Sequence, residues 1–394
     1  MRDSESSCMT LPSLIAKAHA MGASDLHLEA GTPVVVRVRE ELLSMGDSIA
    51  EPRLAAMARE LLGDDRYDRM TRQGSVDHST TIAGTRCRVN IYRTVRGLAM
   101  AVRLLSASTQ DLRGSNLHPD LRKLIDAKAG LAIVSGPTGS GKSTTLAALI
   151  EEINGSRARH IIALESPLEY MFENRRSFIR QREIPTHSPS YEQAIIDALR
   201  ENPDVLVIGE MRTPEVMRLT LSAAETGHLV LATMHSATCA EAVARLCMSF
   251  PAELQGSIRA QLADCLVGIV CQRLEFLDSA GFRVPRCEIL LGSSAARGAI
   301  RGGQFSQLPT VIQAGGEDGM WTFDRYDRWL AQKTDWVPPQ AARAAMEQPR
   351  ATSAQPTRAS APKQPTQAAP AREDDVIEIE IDESMDLNEI AKRI

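Results

Sequence analysis

Leu131-Ala-Ile-Val-Ser-Gly-Pro-Thr-Gly-Ser-Gly-Lys-Ser-Thr-Thr145 decides how this 394-residue chain is read. Its first five residues predict a short buried strand, its glycines a turn, and Lys142 with Ser143 the start of a helix. That order carries the spacing G-x-x-x-x-G-K-[ST] of a phosphate-binding loop in the strand–turn–helix setting such a loop requires. Gly136, Gly139 and Gly141 allow backbone conformations that turn successive N–H groups towards an anion, and the helix start adds the positive end of its dipole. Gly136, Pro137, Thr138, Gly139, Ser140, Gly141, Lys142, Ser143 and Thr144 are therefore the candidate nucleotide-binding set. Lys142 is expected to reach the β- and γ-phosphates and the Ser143 hydroxyl to hold Mg²⁺. A glycine turn that merely caps a helix explains two glycines, but not Gly-Lys-Ser after a buried strand.

Outward from this loop, residues 131–135, 160–164, 205–208 and 229–234 read as short apolar strands separated by helical patterns. Alternation of this kind predicts an α/β domain with a mostly parallel sheet and helices on both faces. A polar group follows the end of each run: the phosphate loop, Glu165, Glu210 and His235. Ligands of open parallel sheets sit beyond the carboxyl ends of the strands, so the four tips are expected to converge on one site. Hydrolysis there needs a metal, a positioned water and charge stabilisation. Ser143 and Glu210 are placed to organise Mg²⁺, and Glu165 and Glu169, flanking Ser166-Pro167-Leu168, offer a base for the water. His228 and His235 bracket the last strand; both reach the same end of the sheet only if that strand is short and bent. Ligand spacing for zinc is missing around them.

Upstream, residues 11–21 and 51–72 have helical periodicity, and 24–29, 34–38, 75–90 and 100–105 read as strands, giving a small α+β domain over 1–106. His27 and His78 fall in those strands as ordinary half-exposed residues. Arginines crowd the segment 86–103, among them Arg86, Arg88, Arg96 and Arg103. They form either a solvated face or a set that reaches the γ-phosphate held by a neighbouring subunit, where a guanidinium would stabilise the transition state. A linker at 107–116 leads into the nucleotide domain at 117–337, whose later part reads as a hydrophobic helix after Asp264, a strand pair around 284–291, and further helices. Residues 338–373 are rich in Pro, Ala, Gln, Ser and Thr and read as a disordered tether. The acidic segment 374–394 alternates strictly from Asp374 to Glu383; it is either a solubilising tail or a strand that adds to the sheet of a further protein.

Bulk composition narrows the function. Net charge is −5 and only 4% of residues are aromatic, which argues against a nucleic-acid surface. Seven cysteines without a C-x-x-C pair fit reduced thiols. No signal peptide and no apolar run of membrane-spanning length are evident, so the expectation is a soluble cytoplasmic protein that meets membranes only through partners.

Assembled, these motifs resemble the secretion-ATPase superfamily, closest to the PilT-like retraction ATPases of type IV pili, over about residues 12–335. Gly136-Pro-Thr-Gly-Ser-Gly-Lys-Ser-Thr144 matches the Walker A wording of that family. Leu164-Glu-Ser-Pro-Leu-Glu-Tyr170 resembles its Asp box, Asn202-Pro-Asp-Val-Leu-Val-Ile-Gly-Glu-Met-Arg212 its Walker B and Thr226-Gly-His-Leu-Val-Leu-Ala-Thr-Met-His235 its His box. Gly22-Ala-Ser-Asp-Leu-His-Leu28 and Arg88-Val-Asn90 resemble its N-terminal domain, and Gly319-Met-Trp-Thr-Phe-Asp324 its C-terminal part. The resemblance implies a PAS-like N-terminal domain, a RecA-like ATPase domain and a homohexamer powered by ATP and Mg²⁺. It implies Glu169 as general base, Glu165 in support, Glu210 at the metal, and His228 and His235 in the nucleotide site, completed by arginines such as Arg88, Arg96 and Arg103. It further implies pilus retraction, for twitching or DNA uptake, from the cytoplasmic face of the inner membrane, with a membrane platform protein and possibly a paralogous ATPase as partners. Ser166 departs from the pattern, which has Asp there, and so does the acidic tail. The alternatives are an ATPase of a conjugative or type IV secretion machine and a low-turnover nucleotide-gated adaptor.

Overall fold

A computed structural model describes residues 9–38, 41–105 and 109–338; the tether and acidic tail expected from 338 onwards lie outside them, save Pro338. The first sheet holds six strands, β1 (Asp25–Glu29), β2 (Pro33–Val38), β3 (Glu41–Ser48), β4 (Ser75–Ile82), β5 (Thr85–Thr94) and β6 (Gly97–Leu105), ordered β3-β2-β1-β6-β5-β4 and antiparallel throughout. Helices α1 (Leu11–Ala20), α2 (Glu51–Leu62) and α3 (Asp64–Gln73) belong to the same domain, which closes over its own apolar core around Ile15, Leu26, Leu54, Met70 and Ile91. Thr10 and Ser13 form a reciprocal cap at the start of α1. The single helix expected over 51–72 is two, because Gly63 at φ +73 ends α2 and begins α3. Strand β3 was not anticipated: its side chains are mostly exposed and carry no clean alternation.

The second sheet has seven strands in the order β13-β12-β7-β11-β10-β8-β9. These are β7 (Gly130–Ser135), β8 (His160–Glu165), β9 (Phe178–Glu183), β10 (Val205–Ile208), β11 (Leu229–Met234), β12 (Leu266–Leu277) and β13 (Phe282–Leu291). All pairs are parallel except β12 with β13. Strand alternation splits the core into two layers. Leu131, Ile133, Ile162, Leu164, Leu206 and Val230 face α6 (Tyr191–Ala198), α7 (Pro214–Glu225), α8 (Cys239–Met248) and α9 (Ala252–Cys265), with α10 (Ser294–Arg301) and α11 (Leu308–Ala314) beyond. Ala132, Val134, Ile161, Ala163 and Val207 face α4 (Lys123–Asp126), α5 (Lys142–Ser156) and α12 (Phe323–Gln332). Residues buried on both sides of the sheet explain why these strands read as continuous apolar runs.

The hydrophobic helix expected after Asp264 is instead β12. Leu-Val-Gly-Ile-Val-Cys is a continuous apolar run without helical period, and pairing with β7 on one side and β13 on the other settles it as a strand. Strand β9 was also missed, since Phe-Ile-Arg-Gln-Arg-Glu is a charged edge strand.

Candidate nucleotide site

The loop between β7 and α5 owes its shape to its glycines. A Cβ at Gly136, where φ is +149, would lie 2.3 Å from the carbonyl oxygen of Gln272 and 2.6 Å from Ser140 Oγ. Helix α5 opens at Lys142 with Gly141 as its cap at φ +84. Two contacts outside the loop brace it. The Gln272 side-chain amide donates to the Ser140 carbonyl at 2.6 Å and its carbonyl accepts from Thr145 Oγ1 at 2.5 Å, all buried. Ser135 Oγ donates to the Ser236 carbonyl at 3.0 Å and accepts from Ser236 N–H at 2.9 Å. The second clasp ties the last residue of β7 to the segment that follows β11. Gln272 carried no motif, so sequence reasoning did not find it; its only signal was a polar residue inside an apolar strand.

The four strand tips converge. Thr138, Gly139, Lys142, Ser143, Glu165, Ser166, Glu169, Gly209, Glu210 and His235 line one cavity of about 270 Å³, together with Arg88 of the first domain. Lys142 Nζ donates to the carbonyls of Gly136 and Pro137, both at 2.9 Å, and stands 3.4 Å from His235 Nδ1. Burial lowers the pKa of Lys142, with Glu210 and Glu169 pulling the other way. Burial and the neighbouring Lys142 lower that of His235. A neutral imidazole accepts from Lys142 at Nδ1 and donates from Nε2 to Glu210 Oε1 at 3.1 Å; the tautomer follows from these partners. Burial works against ionisation of Glu210, but its bond to Arg212 (2.7 Å) and the nearby His235 hold its pKa below the usual value.

The two Asp-box carboxyls differ. Glu165, the last residue of β8, is buried, and Oε1 lacks a hydrogen-bond partner among the described residues. Burial and then the adjacent Glu169 push its pKa up to about 8, so it is mainly a neutral acid at pH 7. Glu169 is half-buried on the loop beyond, and lines the cavity. Ser166 sits exposed at the rim and donates to the Ile184 carbonyl at 2.8 Å. Thr144 Oγ1 and Tyr170 OH are 2.8 Å apart, fastening α5 to the same loop.

Three expected site residues are elsewhere. His228 precedes β11, so six extended residues, roughly 20 Å of strand, separate it from the cavity. There it bonds the Ala223 carbonyl at 3.0 Å and serves the start of the strand. Arg96 lies exposed in the turn between β5 and β6. Arg103 pairs with Asp25 at 2.9 Å. By contrast Arg86, named only as one of a cluster, bridges the two domains: it reaches Glu183 at 2.6 Å and the Leu168 carbonyl at 3.3 Å.

Serine hydroxyl and carboxylate are oxygen donors of the kind a hard divalent cation takes, and the cradle that only a glycine fits is shaped for a phosphate chain; the residues present fit Mg²⁺ and a nucleotide. Elsewhere Cys239, Cys271 and Glu288 come together, their ligand atoms within 4.8 Å and all buried. Glu288 accepts the Cys239 backbone N–H at 2.7 Å and so caps α8.

The family profile described as Type II/IV secretion system protein matches residues 2–284. Protein YggR of Escherichia coli, named as uncharacterized, is 38% identical over 318 residues, covering 80% of this chain and 97% of that one. The type IV pilus retraction ATPase PilT of Pseudomonas aeruginosa is 34% identical over 327 residues, covering 82% and 95%. A crystal structure of the pilus retraction motor PilT with bound ADP superposes with a TM-score of 0.73 at 33% identity, over 81% of this chain and 96% of that one. The ATPase DotB of Legionella pneumophila shares the fold, with a TM-score of 0.67 at 23% identity over 82% and 96%.

Proposed function

The chain belongs to the Type II/IV secretion system protein family and is a PilT-like ATPase; on that premise we propose that it is a homohexameric motor that drives retraction of a type IV pilus. The observation that carries the reading is the meeting of Lys142, Glu165, Glu169, Glu210 and His235 in one cavity beyond the strand tips. ATP is the substrate. Its β- and γ-phosphates lie on the loop 136–144, where Lys142 exchanges its carbonyl partners for phosphate oxygens and brings positive charge to the bond that breaks. Ser143 and Glu210 would hold Mg²⁺, which when bound supplies neutralisation of phosphate charge.

Glu169 is the general base: it orients the attacking water and takes its proton. Glu165, kept neutral by burial, supports that loop without adding a second negative charge beside the γ-phosphate. His235 is the sensor, set between Lys142 and Glu210 so that a change at the phosphate reaches the Ser236–Ser135 clasp. Arg88 supplies positive charge from the first domain. Arg86 grips the Leu168 carbonyl, one residue before Glu169, and so links the base's loop to the position of the first domain. Hydrolysis thereby becomes movement of one domain against the other, applied at the cytoplasmic face of the inner membrane to a platform protein of the pilus machine.

The test is retraction of fluorescently labelled pili in cells that carry either the wild type or Glu169→Gln as sole copy. Pili that extend and fail to retract in the variant support the reading. Retraction at wild-type speed in the variant, or in cells lacking the gene, overturns it.

A further inference from the structure

Beside the nucleotide cavity lies a second one of about 500 Å³, between the first domain and the tips of β8 and β9. Arg66 and Arg69 of α3, Arg88 of β5 and Arg212 line it, with Asp77 and Glu183 as the carboxylates. Glu183 is taken by Arg86 at 2.6 Å, Asp77 stands 3.7 Å from Arg88 and Arg212 is paired with Glu210 at 2.7 Å, which leaves Arg66 and Arg69 as the lining guanidinium groups without a carboxylate partner among the described residues. Burial and then Arg66 lower the pKa of His78, with Glu183 pulling the other way. His78 Nδ1 accepts from Arg66 at 2.9 Å, and Arg66 also donates to the Asp77 carbonyl at 3.2 Å; these bonds aim the guanidinium. Arg69 is exposed and has no ion-pair partner among the described residues. Planar guanidinium groups of this kind recognise oxyanions with paired N–H donors.

The two cavities share four residues, Arg88, Ser166, Pro167 and Arg212. The part of their common wall made by Ser166-Pro167 carries no carboxylate, and Glu169 faces the nucleotide side only. An anion leaving the γ-phosphate position passes Arg88 and Arg212 in this direction and reaches Arg66 and Arg69 beyond, where Asp77 and Glu183 are paired with Arg88 and Arg86.

We propose that the arginine cavity is a second anion site, which takes the inorganic phosphate that hydrolysis liberates and holds it between the two domains. The proposal rests on the ATPase reading above and adds a destination for one product. Phosphate bound there would hold α3 and β5 of the first domain against the tips of β8 and β9 until it departs.

The test uses the full chain saturated with a non-hydrolysable ATP analogue, so that the loop 136–144 is occupied, and titrates radiolabelled inorganic phosphate by equilibrium dialysis. Wild type is expected to bind one phosphate per chain. Arg66→Gln with Arg69→Gln should weaken this about tenfold or more, as loss of two charge-assisted donors implies, and should weaken product inhibition of the ATPase by phosphate in proportion. The ATP KM should stay within about twofold. Arg69→Glu, a single change on an exposed position of α3, guards against misfolding of the double variant and should act in the same direction. No additional phosphate on the analogue-bound wild type, unchanged binding in both variants, or lost binding with unchanged product inhibition each overturns the proposal. Failure of the ATPase reading is separate: it would appear as absent turnover in wild type, whatever the phosphate binding.

Discussion

Glu165→Gln tests the division of labour between the two Asp-box carboxyls. In the fold, burial and Glu169 raise the Glu165 pKa from 4.5 to about 8, so the folded chain keeps a proton that the unfolded chain releases. Between those two values folding takes up a proton, and stability must fall as pH rises, with the loss complete above about pH 8. Each unit corresponds to about 1.4 kcal/mol; the interval from pH 6 to pH 8.5 therefore removes about 2–3 kcal/mol through this one group. Glutamine has the same shape and does not titrate, so the variant lacks that component. The assay is guanidinium denaturation of nucleotide-free wild type and variant at both pH values. The expected outcome is that wild type loses about 2–3 kcal/mol more than Glu165→Gln over the interval. An equal loss in the two proteins would mean that Glu165 is already ionised in the fold, and the assignment of a neutral supporting acid would be wrong.

Two further outcomes follow from the loop's braces. Gly136→Ala places a methyl group 2.3 Å from the Gln272 carbonyl oxygen at a backbone angle of φ +149. Strain of about 1–3 kcal/mol should open the cradle and weaken binding of a fluorescent ATP analogue by roughly ten- to a hundredfold; unchanged affinity would show that the loop does not touch the phosphates. Gln272→Leu strands the Ser140 carbonyl and the Thr145 hydroxyl in a dry interior, a loss of about 1–3 kcal/mol for each group. Thermal unfolding should shift down by several degrees and nucleotide affinity should fall with it, whereas an unaltered melting curve would deny the brace.

What the sequence disclosed was set by locality. The phosphate loop is contiguous and its glycines are dictated by backbone geometry, so Gly136 to Ser143 were legible without a structure. The tips of β8, β10 and β11 were legible because a parallel sheet brings all its carboxyl ends to one edge; Glu165, Glu210 and His235 needed only the strand assignments. His228 failed for the same reason that His235 succeeded: it stands at the opposite end of β11. The arginines could not be sorted by type: Arg86, Arg88 and Arg103 share one face of β5 and β6, and only the partner each finds, such as Glu183 for Arg86 and Asp25 for Arg103, tells them apart. Gln272 and the Ser135–Ser236 clasp join residues about a hundred or more positions apart, and no periodicity reports such a contact. The unusual state of Glu165 likewise depends on how deeply β8 is covered, which an alternating pattern does not convey.

The central claim is that Lys142 grips the triphosphate while Glu169 activates the water. It is tested most directly by measuring ATP binding and steady-state hydrolysis together in wild type, Lys142→Ala and Glu169→Gln. The account predicts that Lys142→Ala loses both and that Glu169→Gln binds ATP as wild type does while hydrolysis falls by about 10²-fold or more. Hydrolysis by Glu169→Gln at the wild-type rate would contradict it.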